Sequence, residues 1–139
     1  MADRSVELFT AIYTALSGNA PLTALIGVGR VYDTPPAQVS DGQLVPPYVV
    51  IGDETANDYG SRGGDAQEHT ITIHTWTETP TTLLVKRIMA AVRNAMHEQS
   101  LALGGGNLVY LRQEFKETFR DPDGVSQHGV QRFRALTEN

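Results

Sequence analysis

Cysteine is absent from the 139-residue chain. This absence excludes disulfide bonds, thiolate zinc sites, iron–sulfur ligation and cysteine nucleophiles. It fits a protein of a reducing compartment or an assembly that is made in the cytoplasm. The sequence also lacks an apolar run of about 20 residues and a signal peptide at its start. We therefore expect a soluble protein that is not secreted by that route and does not enter a membrane.

An excess of basic residues is also missing. The chain has 16 Asp and Glu residues against 11 Lys and Arg residues, which gives a formal net charge of −5. A protein that grips the outside of nucleic acid needs the opposite balance in order to neutralise phosphates. A chain of this length can bury about 68% of its extended surface without staples. We expect a single domain that spans residues 1–139 and contains no internal repeat.

Hydrophobic periodicity predicts two long helices. The first follows Ser5 as a candidate N-cap, and the second opens at Thr79 and Pro80 as N-cap and first helical residue. A short helical turn starting at Pro21 lies between them. The first stripe comprises Val6, Phe9, Tyr13 and Leu16, widened by Leu8 and Ile12. The second stripe comprises Leu84, Ile88, Ala91, Val92 and Ala95.

The rest of the chain favours strands. Residues 30–32 and 48–51 are short β-branched or aromatic runs, residues 53–66 are predicted to form a polar loop, and residues 68–76 alternate in polarity. Residues 108–118 and 125–136 form a predicted hairpin around an Asp-Pro-Asp-Gly turn. On its first strand, Val109, Leu111 and Phe115 are expected to face the core. A register in which partner numbers sum to about 246 would place Glu114 opposite Arg132.

These elements predict an α+β fold. We expect a mostly antiparallel sheet of about four to five strands with two helices packed on one face. Alternation of helices and strands is too sparse for a parallel doubly wound sheet.

Several segments partly match known catalytic or ligand-binding motifs, but the residues around them do not fit those motifs. Gly27 and Gly29 lead into a strand and not into a helix, and the glycines at 104–106 are not followed by Lys-Ser/Thr. Ser61 resembles a nucleophile elbow only loosely, because Tyr59 occupies the position of the first glycine. The acidic turn at 121–124 lacks the glycine and glutamate positions of a calcium loop.

The four histidines do not form a metal pattern. His69 and His74 are five residues apart on one predicted strand, so they point to opposite faces and cannot share a metal. We expect His69, His74, His97 and His128 to be structural residues of the sheet surface or of a helix end. No catalytic, cofactor-binding or metal-binding residue is predicted, and we expect the protein not to be an enzyme.

Two further features of the sequence can be interpreted either as structural or as functional. Trp76 is either an interface anchor or a strand-end residue that covers the core. A basic stripe is either a solvated face, a contact between subunits or, third, a groove for nucleic acid. The stripe comprises Arg112, Lys116, Arg132 and Arg134.

Four blocks of sequence are not specific individually, but their order and spacing together are specific. After the opening helix they read PLTALIG with RVYD (21–27 and 30–33), PPYVVIG (46–52), EHTITIHTW (68–76), and RDPDG with HGVQRFR (120–124 and 128–134). In this arrangement the chain resembles the tail-completion, or tail-terminator, family of long-tailed, siphovirus-type phages and gene transfer agents.

The resemblance implies a structural protein of the virion neck, assembled in the cytoplasm of the host bacterium. It implies a homo-hexameric ring that caps the head-proximal end of the tail tube, stops its growth and joins tail to head. The implied partners are the chain itself, the tail-tube protein and the head connector or stopper, while DNA passes through the lumen without specific binding. The family is α+β and offers no catalytic residues or cofactors to carry over.

Two groups of residues are predicted to form the contacts of such a ring. The polar loop predicted for residues 53–66 suggests contacts with the tail tube or with a neighbouring subunit at Asp58, Tyr59 and Arg62. The charged hairpin face suggests intersubunit contacts at Arg112, Glu114, Arg132 and Arg134.

Three alternatives remain. The chain could be a head-completion stopper or adaptor of the same neck. It could instead be a small hydrolase or ligand-binding domain that uses Ser61 or His74, which requires a deep pocket in the monomer. A nucleic-acid binder is the third, with affinity that falls steeply with salt.

Overall fold

The computed structural model of the chain describes residues 3–34, 45–60, 64–122 and 124–139. Within these ranges the chain forms three helices and five strands in an α+β arrangement, which confirms the predicted class. The elements are α1 (Ser5–Ser17), α2 (Ala20–Ile26), β1 (Val31–Tyr32), β2 (Tyr48–Asp58), β3 (Ala66–Thr77), α3 (Leu83–Met96), β4 (Asn107–Arg120) and β5 (Gln127–Glu138). No helix in the described ranges is long and apolar enough to cross a membrane.

Helix α1 buries a narrower stripe than the sequence suggested. Leu8, Ile12 and Leu16 are fully buried, whereas Val6 is 74% exposed and Tyr13 is 39% exposed. Residues four apart lie on one line of the helix, so this i, i+4, i+8 row is the buried line of α1, with the partly buried Phe9 beside it. Ser5 is the first helical residue and not the N-cap. Its backbone N–H donates to the carboxylate of Asp3 at 2.9 Å, which satisfies one of the free donors of the first turn.

Helix α2 extends the predicted short turn around Pro21 into a third helix. It is capped by Asn19, whose side-chain oxygen accepts a hydrogen bond from the backbone N–H of Leu22 at 3.0 Å. The proline lies in the first turn, where its missing N–H costs nothing.

Helix α3 begins at Leu83, so the predicted start at Thr79 and Pro80 is wrong. The hydroxyl of Thr79 donates to the carbonyl of Thr81, and the hydroxyl of Thr81 accepts from the N–H of Leu83 at 3.1 Å. These local bonds hold a turn that delays the helix. The helix buries Val85, Ile88, Met89, Ala91, Val92, Ala95 and Met96, which includes four of the five predicted positions.

The five strands form one sheet in the order β1-β2-β3-β5-β4. Strand β1 pairs with β2 in parallel, and all other neighbours are antiparallel. Strand β2 continues to Asp58, so the first six residues of the loop predicted for residues 53–66 are strand. The polar residues of this part pair with β3 from Glu54↔Ile71 to Asp58↔Gln67, because a neighbouring strand satisfies their backbone groups.

Strand β4 carries two β-bulges that change its register against β5. The partner numbers fit the predicted register from Tyr110↔Leu136 to Gln113↔Phe133, and the pairing then passes to Phe115↔Arg132. Glu114 is the extra residue of the second bulge. The predicted pairing of Glu114 with Arg132 is therefore wrong, and Phe115 lies on the same face as Arg132.

The helices cover one face of the sheet and enclose the core. Leu8 and Ile12 of α1 and Ile88 of α3 pack with Ile73 and Phe133 of the central strands. Gly129 of β5 permits the close approach of α3, since a Cβ at this position would lie 2.5 Å from the sulfur of Met89 and 3.1 Å from a methyl of Val85. The opposite face of the sheet has no helix of the described residues on it.

Candidate interaction surface

The sheet face turned away from the helices is here called the outer face. Alternate residues of the two central strands lie on it, whereas the residues between them, such as Ile73 and Phe133, are buried under the helices. The pairing of β3 with β5 places six cross-strand pairs on this face. They are Ala66↔Glu138, Glu68↔Leu136, Thr70↔Arg134, Thr72↔Arg132, His74↔Val130 and Trp76↔His128. The alternation predicted for residues 68–76 is confirmed.

Charged side chains occupy one half of the outer face. Arg112 and Arg134 are cross-strand neighbours, and each also has a carboxylate partner. The Arg112 guanidinium lies 2.9 Å from Glu98, and the Arg134 guanidinium lies 3.0 Å from Glu114. The arrangement brings together three of the four residues predicted at an intersubunit contact.

Arg132, the fourth of them, contacts an aromatic ring. Its guanidinium carbon lies 5.0 Å from the ring centre of Phe115, within the range of a cation–π contact. The bulge at Glu114 turns Phe115 outward to make this contact, and Phe115 is 42% exposed. Lys116 is consequently paired with the inward-facing Gln131 and does not belong to the outer face, so the predicted basic stripe loses one member.

The hairpin between β2 and β3 carries the second predicted group. Asp58 is the last residue of β2, and its carboxylate accepts a hydrogen bond from the N–H of Gly60 at 2.9 Å. Tyr59 is 60% exposed. Arg62 lies outside the described residues. The pairs Asp58↔Gln67 and Thr70↔Arg134 are three residues apart along β3, or about 10 Å, so this hairpin and the charged half adjoin each other.

Tyr110 and Glu68 link the hairpin side to the charged half. The Tyr110 hydroxyl donates to the Glu68 carboxylate at 3.1 Å, and Arg112 lies 4.8 Å from the centre of the same ring. Burial, and then the Glu68 carboxylate, raise the pKa of Tyr110 above its ordinary value. The phenol therefore stays a neutral donor at physiological pH.

An aromatic and histidine cluster occupies the other half of the outer face, and the sequence reading did not predict it. The rings of Trp76 and His128 stack with centres 3.8 Å apart, and Phe119 meets His128 edge-on at 4.7 Å. Nδ1 of His74 lies 2.9 Å from Nε2 of His128, within hydrogen-bond distance. Trp76 lies on the outer face near the end of β3 and not on the side of the buried core, and its role as an interface anchor stays a prediction.

Both histidines of the cluster are held in the neutral form. Burial, and then the neighbouring His74, lower the pKa of His128 to about 4, against the opposing effect of Asp121. Burial also lowers the pKa of His74, against the opposing effect of Asp53. One neutral ring can donate its N–H to the other, whereas two charged rings would present two donors to each other.

A pocket of about 400 Å³ opens beside this cluster. Its walls come from the end of β1, from the β2 segment around a β-bulge, and from the facing side chains of β3 and β5. The lining residues are Asp33, Thr34, Val50, Gly52, Asp53, His74, Trp76 and His128. The position of His74 in its wall is the feature that the ligand-binding alternative required.

The other half of that alternative, Ser61, lies outside the described residues. The strand residues that flank it in sequence, Asp58 and Gln67, pair at the opposite end of β3 from His74. Seven residues of strand separate Gln67 from His74, or about 23 Å. The pocket at His74 therefore lies far from Asp58 and Gln67.

His69 lies on the inner face, as the spacing from His74 predicted. It is fully buried, with its ring nitrogens 2.7 Å from the Glu54 carboxylate and 2.9 Å from the Thr137 hydroxyl, so the predicted position on the sheet surface is wrong for His69. These contacts tie together β2, β3 and β5. Across the described ranges no group of three or more His, Cys, Asp or Glu side chains is placed to hold a metal ion.

These features define an α+β structural subunit whose uncovered sheet face offers a charged half, an aromatic half and an exposed hairpin for contacts. Residues 10–138 match the family of tail completion protein gp17. The chain belongs to this family, so it has a structural role in a phage-type tail, is located in the virion and contacts other tail and head components. The resemblance seen in the sequence blocks is confirmed.

Two similar proteins agree with this assignment. Tail completion protein gp17 of Bacillus phage SPP1 is 28% identical over 93 residues, which cover 67% of this chain and 69% of that protein. A chain in the solved virion of a native gene transfer agent particle matches with a TM-score of 0.88 and 29% identity, over 100% of both chains.

Proposed function

We propose that the chain, as one domain over residues 1–139, is a subunit of a hexameric ring that caps the head-proximal end of a tail tube. The ring stops tube growth and joins the tail to the head. The observation that carries the proposal is the full-length match, at a TM-score of 0.88, to a chain of a gene transfer agent virion. In this role the protein has no catalytic activity, and its work is done by its contacts.

The charged half of the outer face suits a contact between subunits. A ring requires heterologous contacts, in which one patch meets a different patch of the neighbour. The side chains of the Arg112–Glu98 pair are 59% and 56% exposed, and those of the Arg134–Glu114 pair are 47% and 30% exposed. Exposed ion pairs contribute only about 0–1 kcal/mol, so they can exchange partners when a neighbour arrives. We assign Arg112, Glu114, Arg132 and Arg134 to this contact.

The β2–β3 hairpin suits a contact with the tail tube or with a neighbouring subunit. Tyr59 projects an exposed ring beside the last pair of the ladder, Asp58↔Gln67. Aromatic residues of this kind are enriched at the centres of interfaces. We assign Asp58, Tyr59 and Arg62 to this contact.

The charge of the chain suits a ring through which DNA moves. Each subunit carries a formal charge of −5, so a ring of six has a charge of about −30 (6 × −5). An acidic lumen repels phosphates and keeps passage fast, whereas a basic lumen would hold the DNA.

Negative-stain electron microscopy with purified tail tubes tests the proposal. Rings should appear at one end of the tubes, and native mass spectrometry should give about 91 kDa for six 15.1-kDa chains (6 × 15.1). Bare tube ends at high protein concentration would contradict it. A head-completion stopper or adaptor would instead bind isolated heads and leave isolated tails bare. Incubating the purified protein with isolated tails and, separately, with isolated heads therefore distinguishes the two roles.

A further inference from the structure

We propose that the pocket beside His74 and Trp76 receives a basic side chain, arginine above all, from a protein that docks on the outer face. The inference rests on the proposed function, because that function supplies protein partners to this face. It goes beyond that function in two respects. It names a binding site outside the charged half, and it specifies the chemistry of the side chain that enters this site.

The pocket is formed by a local feature of the backbone. The register of β2 against β3 shifts between Ile51 and Glu54, which places Gly52 and Asp53 in a bulge. A Cβ at Gly52 would lie 2.7 Å from Cδ2 of His74 and 3.1 Å from the carbonyl of Thr72. The missing side chain therefore lets the imidazole lie against β2. The bulge also places Asp53 in the pocket lining.

The charge of the pocket favours a cation. Asp33 and Asp53 line it, and neither carboxylate forms an ion pair with another residue that the structure describes. The two imidazoles of the wall, His74 and His128, add no positive charge at neutral pH, since burial lowers the pKa of each. The nearby carboxylate of Asp121 adds to the negative field around His128. Among the described lining residues, a cation in the pocket would meet two carboxylates and no cationic side chain.

The walls favour a planar cation on an apolar stem. Trp76 and His128 present stacked aromatic rings, and Val50 adds an aliphatic surface. The planar guanidinium group stacks on aromatic faces and binds carboxylates through a fork of donors. An ammonium group can also lie over an aromatic ring, but it has neither the planar shape nor the fork. A volume of about 400 Å³ admits the whole arginine side chain, in the range of sites that bury small ligands.

The single tryptophan makes a direct test possible, because Trp76 is the only one in the chain and lines the pocket. The protein is titrated with Nα-acetyl-arginine amide and with Nα-acetyl-citrulline amide, a neutral probe of the same shape, at constant ionic strength. The arginine probe should change the fluorescence of Trp76 with saturation, and the citrulline probe should not. Equal responses to both probes would overturn the proposal.

Two matched variants locate the charge that is responsible. Asp53→Asn should weaken the apparent affinity for the arginine probe by about fivefold. Glu138→Gln removes the same charge from an exposed residue at the other end of β5 and should leave the affinity unchanged. Circular dichroism checks that both variants fold. Unchanged affinity in a folded Asp53→Asn protein would also overturn the proposal.

The role in docking is tested separately with tail tubes. At limiting protein, Asp53→Asn should lower the fraction of capped tube ends, and Glu138→Gln should not. A probe that binds while capping is unaffected would overturn the docking of a partner at the pocket. If the wild-type protein caps no tubes, the proposed function fails, and the probe titration still decides whether the pocket binds a cation.

Discussion

Nδ1 of His74 and Nε2 of His128 lie 2.9 Å apart across two neighbouring strands, although the two residues are 54 positions apart in the sequence. The pair sits between the ring of Trp76 and the bulge at Gly52. Neutral rings can share one hydrogen bond in this geometry, whereas two protonated rings repel each other. The stability of the sheet is thereby linked to pH.

We expect the folded protein to lose stability as the pH falls from about 6.5 towards 4. The pKa of His128 is lowered from 6.5 to about 4 on folding, and that of His74 is lowered as well, so the unfolded chain binds more protons in this window. The stabilisation is fully present above 6.5 and is lost as the pH falls through the folded value. Because both rings are partly exposed, we expect roughly 1 kcal/mol, measured by urea unfolding at pH 7.5 and pH 5.

The variant His128→Gln provides the comparison for this pH dependence. It removes the group with the largest resolved shift and cannot be protonated, so its stability should change less between the two pH values than that of the wild type. An identical loss in both proteins would place the responsible protons elsewhere.

Gly52→Ala should destabilise the protein and displace the imidazole of His74. The new methyl group would lie 2.7 Å from Cδ2 of His74 and 3.1 Å from a backbone carbonyl, so the ring must move. We expect a loss of about 1–3 kcal/mol in the free energy of unfolding, the usual cost of overpacking. Unfolding curves and the imidazole signals in NMR measure the two effects.

Gly64→Ala is the matched control for this change. Among the described residues other than its chain neighbours, no heavy atom lies within 4 Å of a Cβ at Gly64, so the same substitution should change the stability by less than about 0.5 kcal/mol. Equal losses in both variants would show that the approach of His74 to β2 does not matter.

The buried bridge made by His69 should be one of the costliest contacts to remove. His69→Leu leaves the Glu54 carboxylate and the Thr137 hydroxyl without their partner in the sheet. We expect a loss of about 2–4 kcal/mol, because the Thr137 hydroxyl stays buried without this partner and the partly buried Glu54 carboxylate loses its hydrogen bond. Thr72→Val, on the outer face of the same strand, should stay within about 0.5 kcal/mol of the wild type. Similar unfolding midpoints for the two variants would contradict the assigned role.

The sequence predicted elements where a local pattern is sufficient. The alternation around Ile71 and Ile73 and the helical row through Ile88 and Val92 are properties of short segments, and the structure confirms them. The polar composition of residues 53–58 predicts a loop. They form a strand because β3 satisfies their backbone groups, which is a property of the partner strand.

Which side chains meet on the outer face could not be predicted from any local sequence pattern. The bulge at Glu114 adds one residue to β4, which redirects Glu114 to Arg134 and turns Phe115 outward. The histidine cluster requires β3 and β5 to be neighbours, and this follows from the topology of the whole sheet. The charged residues could thus be named as candidates, but their pairing and the pocket could not.

The double substitution Arg132→Ala, Arg134→Ala should block formation of the ring and leave the monomer folded. It removes the cation–π contact with Phe115 and the exposed ion pair with Glu114, which together contribute little to the stability of the monomer. At the proposed contact the same guanidinium groups would be enclosed by the neighbour, where the loss of charge partners costs about 2–5 kcal/mol at each interface. Native mass spectrometry should then detect only the monomer.

Lys86→Ala, Arg87→Ala provides the matched control. It removes the same charge from exposed positions of α3, on the opposite side of the sheet. This control protein should assemble as the wild type does, because the helical side is not assigned to the contact. A normal ring from the Arg132 and Arg134 variant, or an equal defect in the control, would show that the subunits do not meet through the charged half of the outer face.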